Sequence, residues 1–130
     1  MEHVHLNSQM AGVDLSGYIL NASGPKCTSI DELRKIKASK SAAIMTKSCT
    51  VLPRDGNSEP RYKTLRHGSL QSMGLPNHVY QAYLDMVPAL KSDDKPLIIR
   101  ISGLSVADNV EMVKAFQNSD VDLIEVNFSC

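Results

Sequence analysis

The sequence predicts an α/β fold built on a parallel sheet. Two observations carry this. Short apolar runs at residues 18–20, 42–45, 97–101 and 121–128 alternate with segments of helical periodicity. Each run also ends in small or polar residues, at Asn21-Ala22-Ser23-Gly24, Thr46-Lys47-Ser48, Ser102-Gly103 and Asn127-Phe128-Ser129-Cys130. Strands of this kind, bounded by turn residues and separated by helices, belong in parallel sheets.

Taken in order, residues 6–15 predict a small hairpin, with Met10, Val13 and Leu15 around Ala11-Gly12. Tyr18-Ile19-Leu20 is a first strand running into a small-residue turn. Ser29 and Glu32 have the spacing of a capping box, and Ile30, Leu33 and Ile36 continue at helical spacing. Residues 42–45 form a second buried strand. Residues 51–77, with three Pro and three Gly, read as one long loop, whose specific internal order favours a functional role over disorder. Residues 78–91 predict a helix with Val79, Tyr83, Met86, Val87 and Leu90 inward, bent or ended by Pro88. A third strand covers residues 97–101. Ser105 caps a helix that turns Val106, Val110, Val113 and Phe116 to one face. Residues 121–128 are the fourth strand.

This β-α-β-α-β-α-β order fits a doubly wound sheet or a barrel. The polar strand ends favour a (β/α)8 TIM barrel, where they converge on the active-site face. A whole barrel takes about 250 residues, and this chain has 130, so residues 1–130 are expected to be an N-terminal half of roughly four strands. Open strand edges and a bare inner face predict that such a half associates rather than persisting as a stable monomer.

Fourteen Lys and Arg balance fourteen Asp and Glu. That argues against a nucleic acid or an anionic membrane as partner. No apolar run approaches the roughly 20 residues of a membrane span, and the first residues do not pattern as a secretory leader. Three widely spaced cysteines, Cys27, Cys49 and Cys130, fit reduced thiols in a cytoplasmic protein. His3, His5, His67 and His78 make no metal-ligand spacing, no CxxC is present, and no metal is expected. The glycines form neither a dinucleotide nor a P-loop fingerprint.

Lys47 follows an apolar strand, where its ammonium faces either an anion or simply solvent. Asn127 and Cys130 follow the last strand. Asn offers donors and an acceptor to the edge of a heterocycle, and a thiolate can act as a base. A cysteine there also reads as a small buried apolar residue. In Ser69-Leu70-Gln71-Ser72-Met73-Gly74-Leu75-Pro76-Asn77, Gly74 permits close approach of a ligand or an ordinary turn.

In register along the chain, Asn21-Ala22-Ser23-Gly24, Thr46-Lys47-Ser48, Arg54-Asp55-Gly56-Asn57 with Pro60-Arg61-Tyr62, Ser72-Met73-Gly74-Leu75-Pro76-Asn77, Ser102-Gly103-Leu104-Ser105 and Asn127-Phe128-Ser129-Cys130 resemble the dihydroorotate dehydrogenases, specifically the soluble class 1A, fumarate-using type. The resemblance implies an FMN-containing barrel that oxidises dihydroorotate to orotate in pyrimidine synthesis and passes the electrons to fumarate, in a cytoplasmic homodimer. It implies that Ala22, Ser23, Lys47, Ser48 and Asn127 contact FMN. It implies that Lys47, Gln71, Ser72, Met73, Gly74, Leu75 and Asn127 hold the substrate, and that Cys130 is the base. Gln71 stands where the family usually has Asn. The family's phosphate site lies beyond the matching part. Two further readings therefore remain: a non-catalytic remnant, and a related FMN barrel for another pyrimidine.

Overall fold

The computed structural model describes residues 7–128. A hairpin of β1 (Ser8–Met10) and β2 (Val13–Leu15) opens the chain, as expected. Then follow α1 (Ile30–Ala38), β3 (Ile44–Met45), a second hairpin of β4 (Tyr62–Leu65) and β5 (Gly68–Gln71), α2 (Tyr80–Leu90), β6 (Leu97–Ile101), α3 (Val106–Gln117) and β7 (Leu123–Val126). The strands β3, β6 and β7 form a parallel sheet in the order β3-β6-β7.

The sheet has an apolar layer on each face. Toward the helices, Ile44, Leu97, Ile99 and Ile101 pack against Leu33 of α1, Tyr83, Val87 and Leu90 of α2, and Met112 and Phe116 of α3. On the other face, Ala42, Ala43, Met45 and Ile98 pack with Leu15 of the first hairpin, and Leu20 and Leu123 join them. Burying both faces explains why the strands read as continuous apolar runs rather than alternating ones.

Three expectations are corrected. First, the parallel sheet has three strands among the described residues, not four. Tyr18 and Ile19 are exposed, and residues 18–20 form no strand. They still run beside β3, because the Ile19 carbonyl accepts from the Ala42 N–H at 2.8 Å. Second, residues 51–77 are not one loop, since they contain the β4–β5 hairpin with Arg66-His67 between its strands. All eight of its strand residues are exposed, so no buried face wrote a period of two into the sequence. Third, only half of the expected face of α3 is inward: Val113 and Phe116 pack on the core as predicted, and the first-turn valines do not. Met112 and Phe116 are buried, while Val106 and Val110 are exposed. Asn109 turns inward instead and accepts the Gly103 N–H at 2.9 Å.

The helix ends are closed by lysines. The capping box at Ser29 and Glu32 forms as predicted. At the other end of α1, buried Lys95 donates to the carbonyls of Ile36, Lys37 and Ser39 at 3.2, 2.7 and 2.6 Å. Lys37 in turn donates to the carbonyls of Ala89 and Lys91 at 3.2 and 2.9 Å, closing α2. A cation suits the negative end of a helix dipole and the carbonyls left over there. Pro88 lies inside α2 without ending it. The single hydrogen bond it forfeits is offset by the burial of Val87 and Leu90 beside it.

Replacing buried Lys95 with Met removes three charge-assisted hydrogen bonds from the half-buried end of α1. The variant should lose about 2–3 kcal/mol, read as a lower urea midpoint at unchanged m. Alkaline pH should also destabilise the fold. Burial pushes the Cys49 thiol up to about 12, so the folded chain keeps a proton that the unfolded chain loses. Stability is therefore intact below about pH 9 and falls as pH climbs from there toward 12. Cys49→Ala should flatten that slope in urea titrations between pH 8 and 11.

Candidate functional site at the strand ends

The C-terminal ends of β3, β6 and β7 meet along one edge. The Ser102 N–H donates to the Cys49 carbonyl at 2.8 Å, and the Asn127 N–H to the Ile101 carbonyl at 2.9 Å. Lys47 and Ser48 from the β3 end, Ser102 and Gly103 from the β6 end and Asn127 from the β7 end are thus carried by adjacent backbones.

The turn before α1 supplies a second wall. Asn21 replaces a strand residue with its side chain. Its Oδ1 accepts the Met45 N–H at 2.9 Å and its Nδ2 donates to the Met45 carbonyl at 2.7 Å. One carboxamide so makes both bonds of a backbone pair. Next along the chain, Ser23 Oγ accepts the Ser48 N–H at 2.8 Å and lies 3.2 Å from Ser48 Oγ. Lys47 Nζ donates to the Ser23 carbonyl at 3.4 Å, and the Lys47 N–H to the Cys27 carbonyl at 2.8 Å. Ser23, Lys47 and Ser48 are therefore brought together, and Ala22 is exposed beside them.

Lys47 is half-buried, and its contact with Ser23 is long. An ammonium has three donors, and this contact uses one of them. Behind this wall the Cys27 thiol donates to the Gly24 carbonyl at 3.2 Å. Burial pushes the thiol above its ordinary value, while the nearby Lys47 and Arg100 charges oppose that shift. Buried and bonded to the Gly24 carbonyl, the Cys27 thiol sits where the thiolate is disfavoured.

The segment holding Gln71, Ser72, Met73, Gly74 and Leu75 is a folded cradle. Asn57 donates from its N–H to the Met73 carbonyl at 3.0 Å and from Nδ2 to the Ser72 carbonyl at 3.0 Å. Gln71 Oε1 accepts the Met73 N–H at 3.1 Å, leaving its amide donor outward. Gly74 has φ +73°, and a Cβ there would meet the Asn57 nitrogen at 2.5 Å, so both backbone twist and space demand glycine. Asn77 ties the segment to the sheet, its Oδ1 accepting the Thr50 N–H at 3.0 Å. No hydrogen bond joins the segment to Ser23, Lys47 or Ser48 among the described residues. Cys130 lies outside the described residues, as do His3 and His5.

The sequence reading passed over Asn21 as a turn residue and missed the anchoring role of Asn77. An Asn immediately after an apolar run was the available signal for the first. For the second there was none, because Thr50 and Asn77 are far apart in sequence. Clefts beside α1, lined by Lys26, Glu32 and Lys35, and beside α3, lined by Phe116 and Asp122, contain no predicted site residue. Among the described residues no cluster of three or more His, Cys, Asp or Glu has the arrangement of a metal site, and no helix is long and apolar enough to cross a membrane.

Asn21→Leu should cost about 1–3 kcal/mol, because it leaves both polar groups of buried Met45 without partners. Its local signature is faster hydrogen exchange at the Met45 amide.

Comparison with known proteins agrees with this layout. The family described as dihydroorotate dehydrogenase matches residues 5–130. Dihydroorotate dehydrogenase A (fumarate) of Lactococcus lactis subsp. cremoris (strain MG1363) is 40% identical over 129 residues, covering 96% of this chain and 42% of the relative. Dihydroorotate dehydrogenase (fumarate) of Trypanosoma cruzi (strain CL Brener) is 47% identical over 116 residues, covering 85% of this chain and 37% of the relative. The corresponding protein of Trypanosoma brucei brucei is 41% identical over 131 residues, covering 96% and 41%. The chain thus spans about two fifths of the length of these relatives. A parallel sheet flanked by helices, with its polar residues gathered at the strand C-termini, and a family match along almost the whole sequence lead to one conclusion: this chain belongs to the dihydroorotate dehydrogenase family.

Proposed function

We propose that residues 1–130 form the N-terminal part of an FMN-binding TIM barrel that oxidises dihydroorotate to orotate and delivers the electrons to fumarate. The observation that carries this reading is the cluster of Ser23, Lys47 and Ser48 at the strand ends, a polar cradle with one half-buried cation. It suits a planar polar ring that becomes anionic on reduction, since a fixed positive charge stabilises that form. The fumarate acceptor follows the names of the relatives. In this reading residues 18–20 fill the place of the first barrel strand, and further βα units complete the barrel, its phosphate site and a cytoplasmic homodimer.

The residues divide the work. Ala22 and Ser23 offer backbone groups, and Ser48 a hydroxyl, to the ring edge. Lys47 supplies charge to the ring and to the substrate. Asn127, buried at the end of β7 on the far side of β6, orients both. Gln71 to Leu75 enclose the substrate, with the Gln71 amide donor turned outward to it. The Cys130 thiolate takes the C5 proton of dihydroorotate. Held by these residues, FMN would supply the acceptor for the C6 hydride.

The test is visible absorbance of the purified protein after FMN is added and free flavin removed, followed by dihydroorotate. Retained flavin that bleaches supports the reading. Retained flavin that dihydroorotate leaves oxidised sinks the substrate assignment, and Gln71→Asn then asks whether another pyrimidine is preferred. In a protein carrying all eight strands, absence of retained flavin sinks the cofactor. Cys130→Ala in that protein should slow bleaching by about 10²–10⁴-fold while flavin is retained.

A further inference from the structure

The backbone that delivers Lys47 and Ser48 changes phase just as it reaches the site. Ile44 pairs with Leu97 and Met45 with Ile98, but farther on Cys49 pairs with Ile101. From Met45 to Cys49 is four steps along the chain, and from Ile98 to Ile101 is three. Residues 46–48 therefore hold one residue more than the partner strand matches, which is the count of a β-bulge.

The hydrogen bonds mark where the ladder slips. The Ile44 and Thr46 N–H groups donate to the Pro96 and Ile98 carbonyls at 2.8 and 3.1 Å. An unbroken parallel ladder would next send the Arg100 N–H to the Thr46 carbonyl and the Ser48 N–H to the Arg100 carbonyl. Instead the Arg100 N–H donates to the Thr46 hydroxyl, Oγ1, at 3.2 Å. The Cys49 N–H takes the Arg100 carbonyl at 3.0 Å, and the Ser48 N–H turns away to Ser23 Oγ at 2.8 Å. Thr46 and Ser48 are both buried, so each of these donors needs its partner. The Arg100 side chain is engaged elsewhere, its Nε 2.6 Å from Glu125 Oε1.

The slip has a consequence for the site. In an unbroken strand consecutive side chains point to opposite faces, yet Lys47 Nζ and Ser48 Oγ both reach Ser23. A bulge re-aims side chains in this manner. We propose that Thr46 is a positioning residue for Lys47 and Ser48. Its hydroxyl takes the Arg100 N–H in place of its own carbonyl, and so holds the bulge that releases the Ser48 N–H to Ser23. The inference rests on reading Ser23, Lys47 and Ser48 as the ligand site, but the geometry invoked needs no bound group.

Proton NMR of the ligand-free protein tests it. Contacts between the Ser48 amide proton and the Ser23 β-protons are expected in the unmutated protein and in T46S. They are expected to be lost in T46V, where only the backbone carbonyl is left to accept the Arg100 N–H. A merely structural hydroxyl would lower the urea midpoint without moving Ser48 from Ser23. If T46V does not fold, T46A, which also lacks the hydroxyl but adds no apolar branch, serves the same comparison. A Ser48 that keeps its Ser23 contacts in the hydroxyl-free variant, or loses them in T46S, overturns the proposal. In a flavin-retaining protein carrying all eight strands, T46V should raise the FMN dissociation constant about tenfold, roughly the worth of one hydrogen bond, while T46S should not. An unchanged constant in T46V overturns the proposal as well. No flavin enters the NMR measurement, so failure of the unmutated protein to retain FMN speaks only against the cofactor reading.

Discussion

The register of β6 is the constraint on which the rest of the structure depends. This central strand is paired on both sides, and Leu97, Ile98, Ile99 and Ile101 are all at most 1% exposed. Three of them feed the helix-facing core and Ile98 feeds the inner one. A slip of one residue would drive Arg100 into the helix layer and turn Leu97, Ile99 and Ile101 inward. Because one strand carries two apolar faces and a single charge, only one register places that charge opposite Glu125. The same register brings the ends of β3, β6 and β7 to a common edge.

On that frame, side chains substitute for missing regular structure. Residues 18–20 gain little from the sheet ladder, yet they are held against β3 by one backbone bond and by the Asn21 carboxamide. Ser23 continues the same seam to Ser48. Farther out, Asn57 and Asn77 give the glycine-containing segment its shape and its anchor. Amide side chains suit this work because each offers both donor and acceptor. They leave backbone groups exposed at the edge where a ligand is proposed to sit.

The lysines have unlike roles that a net charge of zero conceals. Lys95 is buried against a helix terminus, Lys37 spans from one helix to the end of the next, and Lys47 stands at the strand ends. The first two are satisfied by carbonyls, whose partial charges replace water. Lys47 has a single long contact, which sets it apart from the two structural lysines.

The sequence by itself determined the element types wherever burial leaves a period or a cap leaves a spacing. The strand Leu97–Ile101, the capping box at Ser29, the Ser105 cap and the first hairpin were all legible, as was the clustering of Ser23, Lys47 and Ser48 at strand ends. Tertiary structure alone decided the remainder. The β4–β5 hairpin buries neither face, so it had no pattern to read. The exposure of Val106 and Val110 goes with burial of Met112 beside Val113 and Phe116, and neighbouring apolar stripes at helical spacing look alike on paper. The contact of Arg100 with Glu125 depends on strand register, which links residues through hydrogen bonds between strands and has no trace in their separation along the chain.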